Sequence, residues 1–199
     1  MAIQINGNGT ITGISVGGLP NGIINTATLA DNAATGAKLA SGAIIQTVIG
    51  ASETSTGSSV EITSQNAAAP TYFNTACNVT LTPQFSNSKI LITFTAQIRF
   101  NPDAEGYVGT YYSSTSDFSS DVHILDPKRG ASRNESFRIN SNAGDAHHFW
   151  VISQTTWDKT VTNTNTRYYS VGGYKGNNEA IYYGDQGVGL TMMAQEIKA

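Results

Sequence analysis

Residues Lys89 to Phe100 constrain this chain more than any other stretch. Ile90, Ile92, Phe94, Ala96, Ile98 and Phe100 recur at every second position, with Thr93, Thr95, Gln97 and Arg99 between them. A period of two is the pleat of a β-strand, and it lines all six apolar side chains on one face. Such a face must be covered by a second layer, so the strand implies a sheet packed against something.

The rest of the C-terminal part has the same texture. Ile44–Ile49 is a β-branched run suited to a buried strand. Shorter strands are expected at Val60–Thr63, Asn78–Thr82, Tyr107–Tyr112, Val122–Leu125, Ser136–Ile139, Phe149–Thr156, Arg167–Gly172, Ala180–Tyr183 and Gly189–Ile197. Turn-forming residues separate several of them, at Asp126-Pro127, Asn142-Ala143-Gly144, Lys175-Gly176-Asn177-Asn178 and Gly184-Asp185. Many short strands at this spacing, without βαβ alternation, predict an all-β, jelly-roll-like antiparallel β-sandwich over residues 44–199.

Residues 1–43 are different in kind. They contain no aromatic residue and only two charged side chains, Asp31 and Lys38. Gly, Ala, Thr and Asn dominate, with turns expected at Asn6-Gly7, Asn8-Gly9 and Asn21-Gly22. Scattered aliphatics such as Ile11, Ile14 and Leu19 cannot bury enough area to offset an ordering cost of ~1–2 kcal/mol per residue. The segment is therefore a flexible tail, or it folds against copies of itself or a partner. Two ten-residue blocks, Ile24–Ala33 and Ala34–Ala43, align Ala27 with Ala37 and Leu29 with Leu39. Repeated units without a core of their own stack or intertwine, which favours the second option.

Charge removes several function classes. Only 13% of residues are charged, and 11 Lys+Arg against 14 Asp+Glu leave a net charge of -3. That balance disfavours a binder driven by phosphate contacts, so no nucleic-acid partner is expected. Ser, Thr and Asn supply the polarity instead, at about 60 positions, well above average usage. The single cysteine, Cys77, rules out an internal disulfide and is expected to pack as a small hydrophobe. No apolar run approaches the ~20 residues of a membrane helix, and no basic segment followed by an apolar stretch marks a signal peptide.

Catalytic constellations are weak. His123 near Asp126, and Asp145 near His147 and His148, are the places where His and carboxylate meet. Adjacent His147 and His148 would point to opposite faces of a strand, which opposes joint metal ligation. There is no Gly-x-Ser-x-Gly elbow and no phosphate-binding loop at Gly172-Gly173 or Gly187–Gly189. Asn78 and Asn134 head glycosylation-type triplets that arise readily by chance in such a composition. Asp117, Asp121, Asp158 and Asp185 sit in turn-like contexts where Asp has a structural role. The expectation is therefore no enzyme, no cofactor and no metal. The aromatics are more suggestive: Tyr111, Tyr112, Trp157, Tyr174, Tyr182 and Tyr183 lie beside polar loops and are candidates for glycan or protein contact. Strand alternation would send one member of each doublet into the core.

Short motifs resemble a known family. Gly9-Thr10-Ile11-Thr12-Gly13-Ile14 and Val16-Gly17-Gly18-Leu19-Pro20 resemble the N-terminal stretch of tail-fibre and other virion fibre proteins of tailed phages, those of marine phages and cyanophages most closely. Thr28–Ala40 is similar to the Ala/Lys/Leu repeats of such fibres. The run from Leu81 to Ile92, with Thr82-Pro83 and Ser88-Lys89-Ile90, resembles a passage of their C-terminal β-domains. Trp157–Thr160, Arg167–Tyr169 and Gln195–Ile197 fit the same domain, whereas His123–Asn142 matches nothing in it.

The resemblance implies a homotrimeric structural and adhesive protein whose β-domains look like trimeric heads of complement and tumour-necrosis-factor type. On that reading, residues 1–43 attach to the virion and trimerise, with Ile11, Ile14, Leu19, Leu29 and Leu39 as contacts. The 44–199 domain would bind a host-surface glycan or protein. A capsid decoration or cement protein, and less readily a polysaccharide depolymerase, are the alternatives.

Overall fold

The structure, a computed structural model, describes residues 4–5, 11–12, 36–50, 60–66, 69–73, 77–125, 137–140, 148–183 and 190–199. Residues Met1–Lys38 and Leu39–Ala199 form two compact units. In the first, β1 (Gln4–Ile5) pairs antiparallel with β2 (Ile11–Thr12), and Gly36–Lys38 makes a 3-10 turn. Ile11 lies in β2; Ile14, Leu19, Leu29 and most of the repeat fall outside the described residues.

The second unit is all-β and consists of two antiparallel sheets packed face to face. The first sheet has the order β10 (Phe137–Asn140), β8 (Glu105–Ser113), β12 (Arg167–Lys175), β5 (Thr71–Tyr72). To it β6 (Val79–Leu81) adds on β12, and β9 (His123–Ile124) adds on β8. The second sheet has the order β3 (Ile44–Ile49), β14 (Thr191–Ile197), β7 (Lys89–Phe100), β13 (Ile181–Tyr183), β4 (Val60–Glu61). On the other side of β7 lies β11 (His148–Asp158), paired along almost its whole length. Nothing among the described residues pairs with the far side of β11.

The alternation in β7 is the axis of this arrangement. Ile90, Ile92, Phe94, Ala96, Ile98 and Phe100 are all buried, while Leu91, Thr93, Thr95, Gln97 and Arg99 are half-buried on the outer face. The inner residues meet Val79, Leu81, Val108, Tyr169 and Val171 of the first sheet in one core. The sheets approach closely at Gly106, where an added Cβ would lie 2.3 Å from Cδ1 of Ile181. Cys77 is fully buried in the same core, with its thiol 3.3 Å from the Leu190 carbonyl oxygen.

A buried carboxylate organises one end of the second sheet. Glu196, on β14, is fully buried and accepts hydrogen bonds from the Gln84 and Phe85 amides, the Ser88 hydroxyl and the Gln46 amide group. It thereby holds the Gln84–Ser88 turn that feeds β7, joining two stretches singled out above, Leu81–Ile92 and Gln195–Ile197. Leu39–Ala43 is tied to the same end: Lys198 Nζ donates to the Leu39 carbonyl at 2.6 Å, and Gly42 N to the Lys198 carbonyl at 2.8 Å.

Candidate functional site

The six aromatic candidates separate sharply. Tyr111, Tyr174 and Tyr183 are at most 9% exposed, so the expectation that they contact a ligand gives way to a packing role. Tyr183 stacks on Phe73 with centroids 4.4 Å apart, and Tyr174 stacks on Tyr107 at 4.6 Å. Tyr111 is crossed edge-on by Tyr72, whose ring also meets Phe118.

The physical reason is that both faces of the first sheet are covered. In β8 every residue from Gly106 to Tyr111 is buried, because the loop after the strand folds Phe118 back over the outer side. Strand alternation splits the Tyr111-Tyr112 doublet as expected, yet neither ring is set free. Tyr112 is half-buried under the Arg167 guanidinium at 4.4 Å and beside His123 at 5.9 Å. Tyr182 is half-buried under Arg99 at 4.3 Å.

Trp157 is the exception. It pairs with Leu91 across β11 and β7, and so stands on the outer face of the second sheet, 40% exposed. One cleft of about 460 Å³ is lined by Ile124, Leu125, Thr155, Thr156, Trp157, Lys159 and Thr160. A second, of about 360 Å³, is lined by Lys89, Trp157 and Lys159. The indole thus forms a wall common to both.

What holds this wall is Asp158, a residue read above as a turn former. Its Oδ1 accepts from the Thr160 amide at 2.8 Å and the Thr160 hydroxyl at 2.7 Å, which is a turn-type contact. Its Oδ2 receives Arg167 Nη1 at 2.6 Å and the Tyr169 hydroxyl at 2.8 Å. Asp158 is fully buried and Arg167 nearly so. Burial, reinforced by the neighbouring Asp158 carboxylate, pushes the Tyr169 phenol well above its ordinary pKa, so that it stays a donor. Arg167 Nη2 also reaches the Thr160 carbonyl at 2.9 Å. With Asp158 clamped inward, the side chains on either side of it, Trp157 and Lys159, are directed outward.

Chemically, the clefts offer an indole face, threonine hydroxyls, two aliphatic side chains and two ammonium groups. Among the described residues no carboxylate, histidine or cysteine lines either one. Among the described residues no group of His, Cys, Asp and Glu could hold a metal ion. Asp126, Asp145 and His147 lie outside the described residues, as does the His148 side chain. Further apolar groups are exposed on β11 itself, Phe149, Trp150 and Val151, and on β3, Ile44 and Ile49.

Sequence reasoning did not select Lys89, Lys159, Thr155 or Thr160. The local signal for the last was the Asp158-Lys159-Thr160 spacing, which fits a side-chain-capped turn. Lys89 carried none, because only the β7–β11 register brings it to Trp157. No helix among the described residues is long and apolar enough to cross a membrane. No protein-family model matches the chain, and no curated protein matches it.

Proposed function

We propose that this chain is a virion fibre protein of a tailed phage, with a sandwich of jelly-roll type that binds the host surface and an N-terminal segment that attaches to the particle and trimerises. The observation that carries the binding part is the exposed Trp157 indole, which lines two clefts at the end of β11. An indole face with hydroxyls beside it suits sugar rings, which stack through their C–H faces and hydrogen-bond through their rims. The absence of paired carboxylates among the described lining residues supports binding rather than hydrolysis. The motifs at Gly9–Pro20 and Thr28–Ala40 support the fibre assignment. Three copies per fibre and several fibres per particle would multiply a weak contact into stable adhesion.

The test is binding of purified, labelled chain to intact cells of the virus's host, with Trp157→Ala as the partner sample. Binding by a trimeric wild type, reduced at least tenfold by the substitution, supports the reading. A wild type that ignores host cells, or immunogold label confined to the capsid shell, overturns it in favour of a decoration protein. Release of reducing sugar from host envelope polysaccharide would instead assign a depolymerase.

A further inference from the structure

We infer that the Trp157 clefts select an acidic carbohydrate, a uronic-acid-type oligosaccharide, with Lys89 and Lys159 as the specificity-determining cations; this rests on the host-binding reading above and names its ligand class. The register fixes the geometry. Lys89 pairs with Ile197, Leu91 with both Gln195 and Trp157, and Asp158 with Ile90. By alternation, Lys89, Leu91 and Trp157 share the outer face at one end of the second sheet, and Lys159 follows Asp158 out on the same side. Both lysines are exposed, and both line the cleft that Trp157 walls.

Two acids beside these lysines, among the described residues, are withdrawn from this face. Asp158 lies between Trp157 and Lys159 in sequence, yet its carboxylate points inward and is neutralised by Arg167. Glu196 lies on the strand next to Lys89 and is buried under the Gln84–Ser88 turn. Neither Lys89 nor Lys159 has an acidic partner among the described residues. In a chain with few charges and a net excess of acid, two unpaired ammonium groups flanking an exposed indole form a local cationic site.

The companions of these cations decide the ligand class. Phosphate-driven binding of nucleic acid or anionic membrane needs more cationic contacts than two lysines supply. An acidic sugar needs what is present: a flat aromatic for the ring, the Thr155 hydroxyl for its rim, and a cation for its carboxylate.

The experiment titrates the full chain with three uronic-acid oligosaccharides: oligogalacturonate, oligomannuronate and hyaluronan fragments. The methyl ester of oligogalacturonate serves as the neutral control, and tryptophan fluorescence and calorimetry are the readouts. At least one acid is expected to bind at least tenfold more tightly than the ester, with affinity falling as salt rises. The double variant Lys89→Gln/Lys159→Gln should lose at least tenfold for the acid while keeping its affinity for the ester. Its circular dichroism and urea midpoint should match wild type, because both side chains are exposed.

Equal affinity for acid and ester overturns the inference, as does an unchanged double variant or no binding to any of the three acids. Tighter binding of single-stranded oligonucleotide or of phosphatidylglycerol vesicles overturns it in favour of a phosphate ligand. The two readings separate cleanly. Host-cell binding that survives the double substitution leaves the adhesive function standing and removes the acidic ligand. Acid-selective binding by a chain that ignores host cells does the reverse.

Discussion

Replacing Asp158 by Ala deletes a carboxylate that accepts four hydrogen bonds and faces the Arg167 guanidinium at 2.6 Å. Both partners are buried, with side chains 5% and 0% exposed, so the remaining guanidinium has no water to replace its counter-ion. Removing one member of such a pair costs ~3–5 kcal/mol, mostly from the charge left behind. Arg167→Met should cost a similar amount for the opposite charge.

Simple addition would put the double variant at ~6–10 kcal/mol, but with both charges gone the desolvation penalty vanishes. What remains is the unsatisfied Tyr169 hydroxyl and Thr160 amide, at ~1–3 kcal/mol each. The double variant is therefore expected near ~2–6 kcal/mol, with a coupling of several kcal/mol. Urea unfolding at one protein concentration, followed by circular dichroism and extrapolated linearly, measures all four corners of the cycle. Each single variant should also lower Tm by ~6–20 °C. Additivity within ~0.5 kcal/mol would show that the ion pair is not what clamps the Trp157–Thr160 turn.

Other expectations follow from the same packing. Glu196→Gln places an amide NH2 against the donors of Gln84, Phe85 and Ser88. A loss of ~1–3 kcal/mol in urea unfolding is expected, and an unchanged midpoint would contradict the anchoring role. Gly50→Ala would set a Cβ 2.1 Å from the Cys77 carbonyl oxygen, which is backbone and cannot rotate away. The expected cost is ~1–3 kcal/mol, and an unaltered Tm would refute the close approach. Alkaline pH should unfold the protein through its buried phenols. Desolvation raises Tyr72 from 10.0 to about 12, and Tyr169 is raised further. Because these folded values exceed the unfolded one, the stability is present below pH 10 and lost as pH rises above it. Tyr72→Phe should flatten the part of the loss between pH 10 and about 12, and a pH titration of Tm checks this.

Strand alternation was most legible in Lys89–Phe100, which forms a strand with the boundaries its pattern implies, and β11 extends the expected Phe149–Thr156 to His148–Asp158. Ile44–Ile49 also forms a strand, but the expectation that it is buried is corrected: it pairs with β14 alone at the end of its sheet, and Ile44 and Ile49 are 52% and 65% exposed. The two-residue β5 at Thr71–Tyr72 had no signal, since its identity as a strand comes only from pairing with Gly172 and Gly173. The aromatic candidates show the limit most clearly. Tyr111 and Trp157 both sit on the outward side of a strand beside a polar loop, yet one is 2% and the other 40% exposed. The difference is the Phe118 loop and Tyr72 over the first sheet, which cover one ring and have no counterpart over the other.

By itself, then, the sequence determined the all-β texture and the side of Lys89–Phe100 that turns inward, because a period of two is a property of neighbours along the chain. It also determined the contrast between an almost uncharged N-terminal segment and a strand-forming remainder. Only the tertiary structure decided how the strands divide into two sheets, which outer face stays open, and that Lys89 meets Trp157. Those outcomes depend on register and on covering loops, which are contacts between residues distant in sequence and leave no local pattern to read.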